Sequence, residues 1–155
     1  MAMTDEMVCF ALYSASRATT QAYRALLAPW GLTYPQYLVL AALWIEGEQT
    51  IGSLGAVMRL DSGTLSPLVR RLEQAGLVAR VRGEADERVV TVQLTERGQA
   101  LRAEVAPIHS TVADAAGLSD DEGRRELISE LHEITERLQR LTAGLATPAP
   151  ADDTH

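Results

Sequence analysis

The 155-residue sequence contains no lysine, one cysteine and one phenylalanine, and only 5% of it is aromatic. A lone cysteine, Cys9, excludes any disulfide within the chain. Three scattered histidines, His109, His132 and His155, give that thiol no zinc-ligand spacing, and nothing in the sequence points to a cofactor. There is no apolar run long enough to span a bilayer and no signal-like hydrophobic region, so the expectation is a cytoplasmic protein with no membrane partner. Hydrophobic residues at 46% exclude a disordered chain. The length suits one domain with a core, or one domain plus helices lent to a partner.

The net charge of −7 at first opposes a nucleic-acid partner, because phosphate contacts need cations. Charge is uneven, however. From Ser119 onward nine acids face four arginines, whereas the stretch Arg70 to Arg82 holds Arg70, Arg71, Arg80 and Arg82 against Glu73 alone. A basic strip survives inside an acidic protein, and it is built from arginine, whose fork suits phosphate.

All four tyrosines, Tyr13, Tyr23, Tyr34 and Tyr37, follow Cys9 closely. Cys9 and Tyr13 stand four apart, so on a helix they share a face and the phenol can donate a hydrogen bond to a thiolate. Such a donor favours the charged, reactive form of sulfur. The plainer reading of an isolated cysteine is a small buried hydrophobe, and the residues alone leave both open.

Periodicity predicts a mainly α protein with a small β-wing. Asp5 to Leu27 reads as a helix with an apolar stripe Val8, Ala11, Leu12, Ala15, Ala22, Leu26 and a second stripe Cys9, Tyr13, Ser16, Thr20, Tyr23. Thr33 and Gln36 have capping-box spacing for a helix to about Ile45, Gly47 to Gln49 reads as a turn, and Thr50 can cap a short helix to about Met58. Asp61 or Ser62 can cap the next helix, which stops at Gly76. Two strand-like runs, 77–82 and 89–94, flank a charged tip and complete a winged helix-turn-helix. Thr95 caps a long helix carrying Leu101, Val105, Ile108 and Val112, and Ser119 with Glu122 forms a second capping box. The last helix spaces Leu127, Leu131, Ile134, Leu138, Leu141 and Leu145 as a heptad seam. The expected organisation is an N-terminal sensor and dimerisation helix (1–32), a winged helix-turn-helix (33–94), C-terminal dimerisation helices (95–146) and a disordered tail (147–155). An intramolecular helical hairpin is the alternative use of the seam.

In a winged helix the second helix of the motif enters the major groove with its N-terminal side chains on base edges. The candidates are Ser62, Thr64 and Ser66, with Arg70 further along and Arg80 in the strip behind. Ser62 as a simple cap and Arg70 as a solvated face are the bland readings. At the hairpin tip, Asp86 can brace Arg88 for a minor groove, or the two form an ordinary surface ion pair.

The runs Leu32-Thr33-Tyr34-Pro35-Gln36-Tyr37, Leu60-Asp61-Ser62-Gly63-Thr64-Leu65-Ser66-Pro67-Leu68 and Asp86-Glu87-Arg88, followed by Leu94-Thr95-Glu96-Arg97-Gly98, resemble the MarR family of dimeric winged-helix regulators. The first run together with Cys9-Phe10-Ala11-Leu12-Tyr13 resembles its organic hydroperoxide resistance branch, OhrR, in the one-cysteine form. The resemblance implies a homodimeric repressor that holds operator DNA when reduced and releases it when Cys9 is oxidised by an organic hydroperoxide. It also implies thiolate hydrogen bonds from Tyr23 and Tyr34, with Tyr13 nearby. Cys9 and Tyr23 lie 14 residues apart on one helix, about 21 Å at ~1.5 Å per residue, so if they meet, Tyr23 comes from the partner subunit. With no second cysteine, a low-molecular-weight thiol must resolve the oxidised sulfur. The competing expectations are a repressor responsive to phenolic compounds or drugs, with Trp30, Trp44 and the tyrosines lining the pocket, and a one-cysteine peroxidase.

Overall fold

The computed structural model describes residues 7–83 and 89–146, which form six α-helices and a small antiparallel sheet. By compactness the chain divides into Met1–Val112 and Ala113–His155. The mainly α winged-helix architecture expected from the sequence is the one observed.

Helix α1 (Val8–Leu27) runs 20 residues without interruption. Only its C-terminal end is buried, through Tyr23 and Leu27. The N-terminal turns are open in the single chain, with Met7, Val8, Phe10 and Tyr13 exposed. A 3₁₀ turn, Ala28–Trp30, leads to Thr33, whose hydroxyl accepts from the Gln36 N–H while the Gln36 side chain accepts from the Thr33 N–H. That reciprocal cap starts α2 (Tyr34–Glu46), the central helix of the first unit, which buries Tyr37, Val39, Leu40 and Leu43.

Gln49–Thr50 forms a short strand, β1, where the sequence predicted only a turn. Its partner is remote in sequence, in the hairpin, so local propensity could not reveal it. Thr50 caps α3 (Ile51–Met58) as expected. The link to α4 (Ser62–Gln74) closes on Arg59 at φ 54°, where Leu60 N–H donates to the Gly55 carbonyl at 2.9 Å. A Cβ on Gly55 would stand 2.8 Å from the Leu60 carbonyl oxygen, so the tightness of this turn requires glycine. Leu54, Leu65, Val69 and Leu72 seal α3 and α4 into the core at 0% exposure, each burial contributing about 1.5–3 kcal/mol.

Strands β2 (Val78–Arg82) and β3 (Val90–Leu94) pair antiparallel from Val78 opposite Leu94 to Arg82 opposite Val90, and β1 joins the far edge of β3. The hairpin tip, 84–88, lies outside the described residues. Helix α5 (Glu96–Ala115) starts at Thr95, whose hydroxyl donates to the Gly76 carbonyl at 2.6 Å and accepts from the Gly98 N–H at 3.1 Å. Leu101, Val105 and Ile108 are buried, as the periodicity required.

In the second unit, α6 (Asp121–Ala146) carries no buried residue among those described. The expected Ser119 capping box does not form. Asp120 accepts from the Gly123 N–H at 2.7 Å, and Ser119 Oγ turns to the Asp114 carboxylate instead, because an ionised carboxylate one residue closer is the stronger acceptor. The seam Leu127, Leu131, Leu138, Leu141 and Leu145 is exposed in the single chain. The tail expected to be disordered, 147–155, lies outside the described residues.

Gly98 has no space for a side chain: an added Cβ would clash with the Leu77 carbonyl oxygen, far inside van der Waals contact, and stand 3.3 Å from Leu94 Cδ2. Gly98→Ala is expected to cost about 1–3 kcal/mol by urea denaturation. Gly144→Ala, on an open face of α6 with nothing within 4 Å, is expected to stabilise by about 0.5–1 kcal/mol. Equal effects at the two sites would contradict this packing.

Candidate functional site

Two groups of residues carry chemistry, one on α1 and α2 and one on α4 and the hairpin. Cys9 sits in the first turn of α1 and is exposed, so its reading as a buried hydrophobe fails for the single chain. Among the described residues no hydrogen bond reaches its thiol. Tyr13, one turn on, is also exposed; its phenolic oxygen accepts from Arg17 Nη1 at 3.3 Å, and the guanidinium carbon lies 5.7 Å from the ring centroid. That arrangement leaves the Tyr13 O–H itself available as a donor.

The other three tyrosines gather at the opposite end of α1. Tyr23 stacks on Tyr34 with ring centroids 4.1 Å apart, and Tyr37 lies 5.5 Å from Tyr23 and 6.5 Å from Tyr34. Burial and the neighbouring Tyr34 and Tyr37 phenols push the Tyr23 hydroxyl up to about 12; burial likewise raises Tyr34 and Tyr37. Each phenol therefore stays protonated, and remains a donor, across the physiological range. Tyr37 belongs to this cluster although the sequence reading left it out of the thiolate partners. Its spacing from Tyr34 on α2, one turn, was the available signal. Cys9 and Tyr23 stand at the two ends of an unbroken helix, so the structure does not bring them together within a protomer.

On α4 the inward side is Leu65, Val69 and Leu72, which leaves Ser62, Thr64 and Arg70 exposed and Ser66 half-buried on the other. Asp61, not Ser62, is the cap: its Oδ1 accepts from the Thr64 N–H and its Oδ2 from the Thr64 hydroxyl, both at 2.9 Å. These bonds, the Thr64 backbone first, hold the Asp61 carboxyl below its usual range. Ser62 is thereby freed from capping, whereas Thr64 spends its proton on Asp61 and offers only acceptor lone pairs outward. Pro67 is the sixth residue of α4, past its first turn, so the N–H it lacks would have gone to the Gly63 carbonyl. Arg80 is paired with Glu73, its Nη2 2.6 Å from Glu73 Oε2. Asp86 and Arg88 lie outside the described residues.

Both tryptophans are committed to the fold. Trp44 Nε1 donates to the Gly98 carbonyl at 3.0 Å and Trp30 Nε1 to Glu104 Oε2 at 2.8 Å. The cavity beside Tyr37, Trp44 and Arg102 measures about 150 Å³, below the ~300 Å³ at which small-molecule sites begin. Among the described residues no three His, Cys, Asp or Glu side chains gather as a metal site, and no helix is long and apolar enough to cross a membrane.

Comparison with known proteins matches residues 21–105 to the family described as transcriptional regulator SarA/Rot. The regulator TtmR of Methylorubrum extorquens is 42% identical over 94% of this chain and 74% of its own length. The organic hydroperoxide resistance transcriptional regulator of Bacillus subtilis is 41% identical over 88% of this chain and 92% of its own. Among solved structures, AbfR in its reduced, DNA-bound form superposes with a TM-score of 0.73 at 36% identity, covering 84% of this chain and 91% of that one. Overoxidised AbfR bound to DNA gives the same TM-score and identity. With an exposed hydroxyl-bearing α4, a β-hairpin wing and relatives of this identity along nearly its whole length, the chain belongs to the SarA/Rot and MarR family of winged-helix transcriptional regulators.

Proposed function

We propose that this regulator is a redox-sensing repressor, a homodimer that binds operator DNA while Cys9 is reduced and releases it after Cys9 reacts with an organic hydroperoxide. The observation that carries the reading is the separation of an exposed, unpartnered thiol from a cluster of protonated phenols by the length of one rigid helix. Two copies of α1 running antiparallel would seat each Cys9 against Tyr23 and Tyr34 of the partner subunit, with Tyr13 one turn away on its own helix. The open α6 seam and the exposed start of α1 supply apolar surface for such a dimer. The likeness to the Bacillus subtilis hydroperoxide regulator supports the same choice of signal.

The thiolate attacks the terminal oxygen of the hydroperoxide, the O–O bond breaks, and the alkoxide leaves to take up a proton as an alcohol; the sulfur becomes a sulfenic acid. A low-molecular-weight thiol then condenses with it, expelling water and leaving a mixed disulfide, and a second thiol reduces that bond. AbfR is found on DNA in its overoxidised form, which supports assigning release to the bulky mixed disulfide rather than to oxygen on sulfur. The adduct needs the volume that the phenols occupy, and displacing them shifts α1 and α2 and with them the two reading heads. Ser62, Ser66 and Arg70 face DNA from α4, Thr64 accepts from a base amino group, and Arg88, braced by Asp86, enters the minor groove. The heads of a two-fold dimer match half-sites about one helical turn, ~34 Å, apart.

Cys9→Ser is expected to bind operator DNA like the reduced wild type and to stay bound when an organic hydroperoxide and a small thiol are added together. Gel-shift titration reads both, and release of the mutant would sink the redox mechanism. Peroxide alone should release wild type far less than peroxide with thiol. Arg88→Ala is expected to weaken DNA binding with an unchanged melting curve and to lower the slope of log affinity against log salt by up to ~0.9; an unchanged affinity and slope would remove the wing from the interface.

A further inference from the structure

Glu73 is the one carboxylate in the arginine strip, and the DNA-binding reading gives it no task. It stands on α4 three residues after Arg70, and Arg80 of β2 closes onto it. Arg80 Nε donates to Glu73 Oε2 at 2.8 Å, Nη2 lies 2.6 Å from the same oxygen, and the Arg80 backbone N–H reaches Oε1 at 3.4 Å. The Arg80 hydrogen bond first, with Arg70 adding to it, holds the Glu73 carboxyl below its usual range, so it keeps its charge at neutral pH. Both side chains remain about a third exposed, at 37% and 34%, so a competing anion can reach the guanidinium. A helix in the major groove and a wing over the adjacent minor groove straddle the sugar-phosphate strand between them. The Glu73–Arg80 bridge joins that helix to that wing.

We propose that Glu73 is a specificity-setting residue that competes with DNA phosphate for Arg80. In the free protein it holds the guanidinium and withholds one phosphate contact from any duplex the protein meets. Phosphate contacts carry no sequence information, so restraining one lowers non-specific affinity while the base-reading end of α4 is untouched. Where close docking of α4 on the operator repays the opening of the bridge, Arg80 recovers its phosphate there alone, and the ratio of specific to non-specific binding, which decides occupancy in a genome, rises. This inference rests on the DNA-binding reading above.

The test compares wild type, Glu73→Gln, Arg80→Ala and the double variant on a random-sequence duplex, by fluorescence anisotropy across a salt series, with thermal melting to verify the fold of each. Glu73→Gln is expected to bind about three- to tenfold tighter, with a salt slope steeper by ~0.9. Adding Arg80→Ala should abolish both gains. Unchanged or weaker binding by Glu73→Gln overturns the proposal. So does a gain that survives in the double variant, because it would then come from lost repulsion and not from Arg80. Wild type with no salt-dependent binding would instead sink the DNA-binding reading itself.

Discussion

The first turn of α5 lies directly on the backbone of Leu77, and the winged unit is organised around that approach. Gly98 makes it possible by having no side chain, and Thr95 locks it by bonding back to Gly76 and to the Gly98 N–H. Leu77 is the residue at which α4 becomes β2, so the position of α5 fixes both the recognition helix and the wing. From the other side Trp44 of α2 donates to the same Gly98, and the Trp44 indole meets Tyr37 edge-on at 6.1 Å. The phenol cluster, the central helix and the reading head are thus one continuous packed body. A close-packed interior transmits a displacement instead of absorbing it, which is the mechanical condition for a signal at the tyrosines to matter at α4.

The amount of structure legible in the sequence tracks how local each determinant is. Thr33, Thr50 and Gly76 act within one helical turn of the element they start or stop, and each sits where its pattern put it. The Ser119 box failed in the same local terms, because Asp114 and Asp120 offered better bonds than the motif counted. Strand β1 was invisible because two residues carry no periodicity and their ladder partners, Val92 and Thr91, are some forty positions away. At the site, Ser62 and Arg70 were placed correctly on the outer side of α4 by helical spacing alone. The pairing of Arg80 with Glu73 was not readable, since it joins a helix to a strand and depends on the bend at Leu77. Cys9 was the hardest: an exposed thiol and a buried one look alike in letters, and only the unpacked start of α1 separates them.

The chain is acidic overall yet carries an arginine strip, and the two facts act at different ranges. Beyond about 8 Å at physiological ionic strength the net charge of −7 is largely screened, so it does little to repel a duplex from a distance. Within that distance Arg70, Arg71, Arg80 and Arg82 act directly, and between the first and the last of them Glu73 is the one carboxylate in sequence to offset them. A protein so arranged has weak long-range attraction for DNA in general. On the proposed reading its affinity then depends on close docking, where Ser62 and Ser66 of α4 would add contacts that a random duplex does not reward.

The α1 geometry also limits what the oxidised thiol can become. With each Cys9 seated against Tyr23 of the partner subunit, the two-fold axis passes near the midpoint between these positions. The second Cys9 is then opposite this chain's own Tyr23, 14 residues along α1, about 21 Å away at ~1.5 Å per residue. A disulfide needs Cα atoms within about 7 Å, so the pairing that gives the thiol its phenol donors forbids a bond between the two thiols of one dimer. AbfR has a structure named for its disulfide, whereas this chain, with one cysteine, has no partner sulfur of its own. On the proposed redox reading, the oxidised switch can be resolved and reset only by a thiol from outside the protein. Its operating point therefore follows the concentration and reduction potential of that small-thiol pool as well as the supply of hydroperoxide.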